Sequence, residues 1–271
     1  HDKEKQQTDN KLNNNKVNVL LCSDKNYFIG MFASLQSVIS NTTNLDELHF
    51  NFMIPLESHN DFINMIEKIE KINNIQLSKT VIFIDEKVIE STLSNTACYN
   101  GGGHLLNVSN FSRLLIGEFM SYEKLIYLDA DSITQYDLVE KVKLCDLSMD
   151  SEISLYAMCA NKVNRNSKKQ IVIQLKSILN ESYDGWKKLI GENIDMESHA
   201  YLGAPFITNC KKWHHAYNKI KEIIKTHNQE PNGIYKLFTM SIQNILFYNK
   251  IENINNIIYS LPDLGSKRKE W

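Results

Sequence analysis

The chain has 271 residues, of which 42% are hydrophobic and 10% aromatic, with 30 Lys+Arg against 32 Asp+Glu for a formal net charge of −2. This composition excludes a disordered chain and is enough to bury the core of a single large α/β unit. The missing basic excess argues against a nucleic-acid partner, and no apolar run approaches the ~20 residues of a membrane-spanning helix.

Residues 1–16 are polar and rich in Asn, Gln and Lys. They predict a disordered tail ahead of one domain over residues 17–271, without the apolar block of a signal peptide. Val17–Cys22 reads as a buried strand, and Tyr27–Ser40 as a helix with Phe28, Met31, Phe32, Leu35, Val38 and Ile39 at helical spacing. Leu48–Ile54 is a strand stopped by Pro55, Asp61–Ile72 an amphipathic helix, and Val81–Ile84 a strand. This β-α-β-α-β order signifies a parallel sheet with helices on both faces. A loop over 91–108 contains Gly101–Gly103 and His104. A helix over Ser109–Met120 follows, then a strand over Lys124–Leu128 that ends in Asp129-Ala130-Asp131. Further on, Ile153–Ala160 and Tyr201–Thr208 read as strands, Lys211–His227 and Tyr235–Tyr248 as helices, and Ile254–Tyr259 as a late strand.

The five cysteines, Cys22, Cys98, Cys145, Cys159 and Cys210, are scattered and form no CxxC pair. They predict a reduced, cytoplasmic protein without structural zinc, in which the sequons at Asn41, Asn107, Asn110 and Asn180 go unused. The count of 27 Lys, 3 Arg, 31 Asn and 31 Ile suggests an AT-rich genome such as a giant virus, with the host cytoplasm or virion as the location in that case. It also makes each arginine worth examining.

The sharpest local feature is the run Tyr127-Leu128-Asp129-Ala130-Asp131. Alternation along a strand would point Asp129 and Asp131 the same way, where an apolar strand runs out. Ligands of open α/β sheets bind outside the carboxyl ends of the strands. Two carboxylates there suit Mg²⁺ or Mn²⁺, with phosphate oxygens and water completing the shell.

With these residues in view, the chain resembles the family 8 glycosyltransferases from about residue 17 to its end. Four segments carry the likeness: Asn18–Thr42 with Asp24 and Tyr27, Ser109–Ile133 with its R-L and Y-L-D-x-D elements, Tyr201–Trp213, and Ile242–Phe247. The resemblance implies a GT-A type fold, a single Rossmann-like domain with a mostly parallel central sheet. It also implies retaining transfer of a hexose-type sugar from a UDP-sugar donor to a hydroxyl acceptor on a glycan, protein or lipid. Asp24 and Tyr27 would hold the uridine, Arg113 the donor sugar or diphosphate, and Asp129 and Asp131 a Mn²⁺ or Mg²⁺ ion. Ala130, Gly203 and Lys267 complete the implied donor-binding set. Gln243 would lie near the anomeric carbon, with Asn244 beside it as a further catalytic candidate. Asp263 would be a third metal ligand, and a homodimer is an admissible assembly.

The family pattern breaks in places. Leu202 stands where the family carries an asparagine, Ile242 where it carries an aspartate, and no histidine occurs in the tail Pro262–Trp271. If Leu202 and Ile242 sit beside the sugar, they favour a deoxy or acetamido donor. The same losses support an alternative, a catalytically silent relative that binds nucleotide sugar as a binding or scaffold protein. An Asp-nucleophile phosphatase would need the D-x-D on an early strand, and a nucleotidyltransferase a Gly/Arg-rich phosphate loop; neither is present.

Overall fold

The computed structural model describes residues 15–85, 87, 108–163 and 170–254. Asp263, Lys267 and Gly101–His104 lie outside the described residues. Strands β1 (Val17–Cys22), β2 (Leu48–Pro55), β3 (Lys79–Ile84), β4 (Leu125–Asp129) and β5 (Leu155–Cys159) are followed by a hairpin of β6 (Asn161–Val163) and β7 (Gln170–Val172), then β8 (Tyr201–Thr208) and β9 (Ile251–Asn253). The helices are α1 (Phe28–Asn41), α2 (His59–Asn73), α3 (Val108–Ser112), α4 (Ile116–Phe119), α5 (Leu138–Val142), α6 (Leu175–Ile178), α7 (Trp186–Ile190), α8 (Cys210–Gln229) and α9 (Phe238–Leu246). None of them is long and apolar enough to cross a membrane.

Among the described residues one seven-stranded sheet runs in the order β3-β2-β1-β4-β8-β5-β9. All neighbours are parallel except β8, which is antiparallel to both β4 and β5. Every residue of β1 and β2 is buried, as expected of central strands covered on both faces. Alternation divides their side chains between two cores. Val19, Leu21, Phe50 and Phe52 pack with Met31, Leu35, Phe62 and Ile66 of α1 and α2. Leu20, Met53, Tyr127 and Phe206 pack with Trp213, Ile220 and Ile242 of α8 and α9.

Three expectations change. The helix over Ser109–Met120 is interrupted by a 3-10 turn at Arg113–Leu115, whose three side chains are all buried. The strand expected to carry both acids ends at Asp129, and the chain turns through Ala130 and Asp131. The cause is Ser132, whose amide and hydroxyl both donate to the Asp129 carbonyl, at 3.1 and 2.7 Å. Among the described residues the last strand is Ile251–Asn253, which was not expected and pairs with Leu155–Ala157; the strand expected at Ile254–Tyr259 lies, but for Ile254, outside the described residues. The expected helix over Tyr235–Tyr248 is confined to Phe238–Leu246, because Tyr235 is drawn into a bridge with Leu179.

The turn joining α8 to α9 is held by His227. Its Nδ1 accepts from the amides of Ile234 and Tyr235 at 3.0 and 3.3 Å, and its ring stacks on Tyr235 at 3.6 Å. Burial lowers its pKa from the ordinary 6.5. A folded-state value below the unfolded one means that the unfolded chain takes up the proton first. The contribution of this turn is therefore complete above 6.5 and is lost as the pH falls through the folded value. Thermal melts between about pH 5 and 8 should show this dependence, and His227→Gln should reduce it.

Candidate functional site

Because β8 runs against its neighbours, its first residues reach the same rim as the last residues of β1 and β4. Tyr127 pairs with Phe206, and Cys22 with Asp129. Arg113 ties this rim together. Its Nε donates to the Asn110 carbonyl at 3.1 Å, Nη1 to the Gly203 carbonyl at 3.0 Å and Nη2 to Asp129 Oδ1 at 3.1 Å. The guanidinium lies 4.5 Å over the Tyr127 ring, and the Tyr127 hydroxyl donates to the same Asp129 oxygen at 3.3 Å. Burial pushes the Tyr127 hydroxyl well above its ordinary 10, so it stays protonated and keeps donating. Burial alone would lower Arg113, but Tyr127, Asp129 and Cys22 outweigh it and the net shift is upward. Burial pushes the Cys22 thiol up to about 12, so it is not a thiolate nucleophile.

Asp129 thus presents one restrained oxygen, while Oδ2 takes no protein hydrogen bond among the described residues. Its side chain is 43% exposed, and Asp131 is exposed in the turn. No cluster of three or more His, Cys, Asp or Glu side chains occurs among the described residues. Two hard carboxylates next to open space fit a divalent cation that takes its other ligands from phosphate and water, rather than an all-protein cage.

Across the rim, Asp24 follows β1 and caps the next turn, accepting from the Asn26 amide at 2.8 Å. Tyr27 ends that turn, immediately before α1, and is 39% exposed. Gln243 is 1% exposed, its Nε2 donates to the Leu202 carbonyl at 3.0 Å, and its Oε1 is buried with no partner. The amide of Asn244 is spent on backbone: Oδ1 accepts from Tyr201 N at 2.8 Å, and Nδ2 donates to the Tyr201 and Met240 carbonyls at 2.8 Å each. Ile242 is 0% exposed within the core, which corrects its expected place beside a sugar: the helix phase that turns Gln243 toward β8 turns Ile242 inward. Leu202 is half-buried and packs against both cores.

Two features were not foreseen. Tyr127 belonged to the motif without a role of its own. Gly30, on α1, sits against the acidic turn: a Cβ there would lie 3.1 Å from the Ala130 carbonyl and 3.6 Å from Asp131 Cβ. A glycine inside a helix is the signal that marked it, since it forgoes about 1 kcal/mol of propensity. Gly30→Ala should leave stability within about 1 kcal/mol, because propensity gained offsets crowding. It should displace the Asp131 turn and weaken cation-dependent ligand binding severalfold in a titration.

A rim built from the carboxyl ends of parallel strands, with a buried arginine beside an Asp-x-Asp turn, on a sheet of this order, is the architecture of a GT-A type fold. The chain belongs to glycosyl transferase family 8, whose model matches residues 18–269. No curated protein sequence gives a significant match. Among solved structures, the apo WbbM bifunctional glycosyltransferase superposes with a TM-score of 0.56 at 15% identity, over 88% of this chain. This chain spans 38% of that protein. Mouse xyloside xylosyltransferase 1 in its apo form gives 0.55 at 10% identity, over 88% of this chain and 84% of its own. At these identities the likeness is one of fold.

Proposed function

We propose that this glycosyltransferase moves a hexose-type sugar from a UDP-sugar to a hydroxyl acceptor, with retention of anomeric configuration. The observation that carries the reading is Arg113, a buried cation fixed by Asn110, Gly203 and Asp129 at the rim where the two acids of the D-x-D stand. A planar guanidinium with N–H donors to spare suits diphosphate or sugar oxygens.

Each residue then has a task. The exposed Tyr27 ring stacks on the uracil, and Asp24 holds the uridine. Asp129 and Asp131 hold the cation, with Asp263 as third ligand and Lys267 on the diphosphate; Ala130 and Gly203 border the donor. A divalent cation, Mn²⁺ or Mg²⁺, would supply charge neutralisation for the leaving diphosphate. Gln243, whose Nε2 is held by the Leu202 carbonyl near the start of β8, carries a desolvated, unpartnered carbonyl oxygen, a dipole suited to positive charge developing on the sugar. Asn244 acts indirectly, pinning Tyr201 so that the Gly203 carbonyl meets Arg113. Leu202 offers no hydrogen bond to the sugar, which favours a deoxy or acetamido donor.

A second reading, nucleotide binding without transfer, rests on Leu202 standing where the family carries asparagine. Incubation with radiolabelled UDP-sugars and Mn²⁺ separates the two. Slow donor hydrolysis, and transfer once an acceptor is supplied, support the first. Tight UDP binding with neither reaction supports the second.

A further inference from the structure

Beyond the donor rim, where β8 begins, lies a cleft of about 440 Å³, within the usual range of small-molecule sites. Its polar and aromatic wall is formed by Ser198, His199, Tyr201, Asn244, Tyr248 and Asn249, and no Lys, Arg, Asp or Glu is among the described residues that line it. The surface around it is not generally neutral. The adjoining hollow, which shares Tyr248 and Asn249, carries Glu152, Glu192, Lys212 and Lys250. The cleft is also held in shape. The Tyr248 hydroxyl accepts from the Asp195 amide at 2.7 Å, Asn249 Nδ2 donates to Glu192 at 3.0 Å, and both ends of the Asn244 amide are tied to Tyr201. The Tyr201 hydroxyl has no protein partner among the described residues, and burial raises its pKa, so it remains a neutral donor and acceptor.

A charged ligand entering here would lose solvation without finding a Lys, Arg, Asp or Glu partner among the described lining residues. A polyhydroxylated, uncharged ligand meets what it needs: phenol rings against its C–H faces, and hydroxyl and amide groups that both donate and accept. The strand that forms the cleft also forms the donor rim, since Gly203, two residues beyond Tyr201, accepts from Arg113. We infer that this cleft is a saccharide subsite that holds the distal sugars of a neutral oligosaccharide acceptor. Its role as an acceptor subsite rests on the transfer reading above; its binding of saccharide does not.

The test is saturation-transfer NMR on the full chain without nucleotide, with lactose, maltotriose, cellotriose and xylotriose as neutral probes and sialyllactose as the anionic one. The expected result is binding of at least one neutral probe, weakened about tenfold by Tyr248→Leu, the fold-change that corresponds to losing one good contact. Asn249→Gly is the second variant. Asn249 has φ +59°, which glycine adopts without strain, so it removes the amide and spares the fold. It should also weaken binding while donor hydrolysis by both variants stays at the wild-type rate. Absence of binding by every neutral probe, equal binding by both variants, or a preference for sialyllactose overturns the inference. Oligosaccharide binding by a chain that neither binds nor hydrolyses any UDP-sugar supports the saccharide site and overturns the transfer reading.

Discussion

Arg113→Lys is expected to lower stability by about 2 kcal/mol and to abolish detectable transfer. The guanidinium makes three hydrogen bonds to protein oxygens at 3.0–3.1 Å, each contributing about 1 kcal/mol net. An ammonium can replace one of them, not three in a fork, and it loses the stack 4.5 Å over Tyr127. The Asp129 side chain is 43% exposed, so the ion pair itself contributes little and the loss is mainly one of geometry. The functional loss follows because Gly203 and Asp129, on different strands, are no longer held to one cation. Urea denaturation and donor turnover check both halves. Stability and turnover like those of the wild type would remove Arg113 from the account.

Gly117→Ala is expected to destabilise the fold by about 3 kcal/mol, at the upper end for overpacking. A Cβ on Gly117 would lie 2.2 Å from His214 N, 2.5 Å from His214 Cα and 2.5 Å from the Trp213 carbonyl carbon. These are backbone atoms of α8, so no rotamer change relieves the clash. Moving α8 would disturb Trp213, which is 0% exposed, donates from its indole N–H to Thr208 Oγ1 at 3.1 Å and stacks on Phe206 at 5.6 Å. The turn bearing Arg113 leads directly into α4, so the displacement reaches the site as well. A thermal melt of the alanine variant suffices; an unchanged midpoint would mean that α4 and α8 approach less closely than this geometry requires.

Much of the first half of the fold is legible in the sequence for a physical reason. The runs at Val17–Cys22 and Leu48–Pro55 are mostly apolar, broken only by Asn18, His49 and Asn51, because both faces are covered, and Phe62, Met65, Ile66 and Ile69 repeat at helical spacing because one face of α2 is buried. The reversed direction of β8 is not legible, since an apolar run carries no sign. Nor is the joining of Arg113 to Asp129 and Gly203, which lie 16 and 90 residues away along the chain. The D-x-D motif names the two acids, but not the serine that ends the strand between them. The phase of α9 decides that Gln243 meets β8 while Ile242 enters the core, and that phase is set by packing across the sheet. Gly117 carries no local mark, because what crowds it is the backbone at Trp213 and His214.

Calorimetric titration of UDP in the presence and absence of Mn²⁺, on the wild-type chain and on Asp131→Asn, tests the central assignment most directly. The exposed Asp131 makes no hydrogen bond among the described residues, so this exchange leaves the fold intact and reads ligand binding alone. The expected result is UDP binding that requires the cation and is lost in Asp131→Asn with its melting temperature unchanged. Equal UDP affinity with a chelator present, or in Asp131→Asn, would contradict a cation held at this rim.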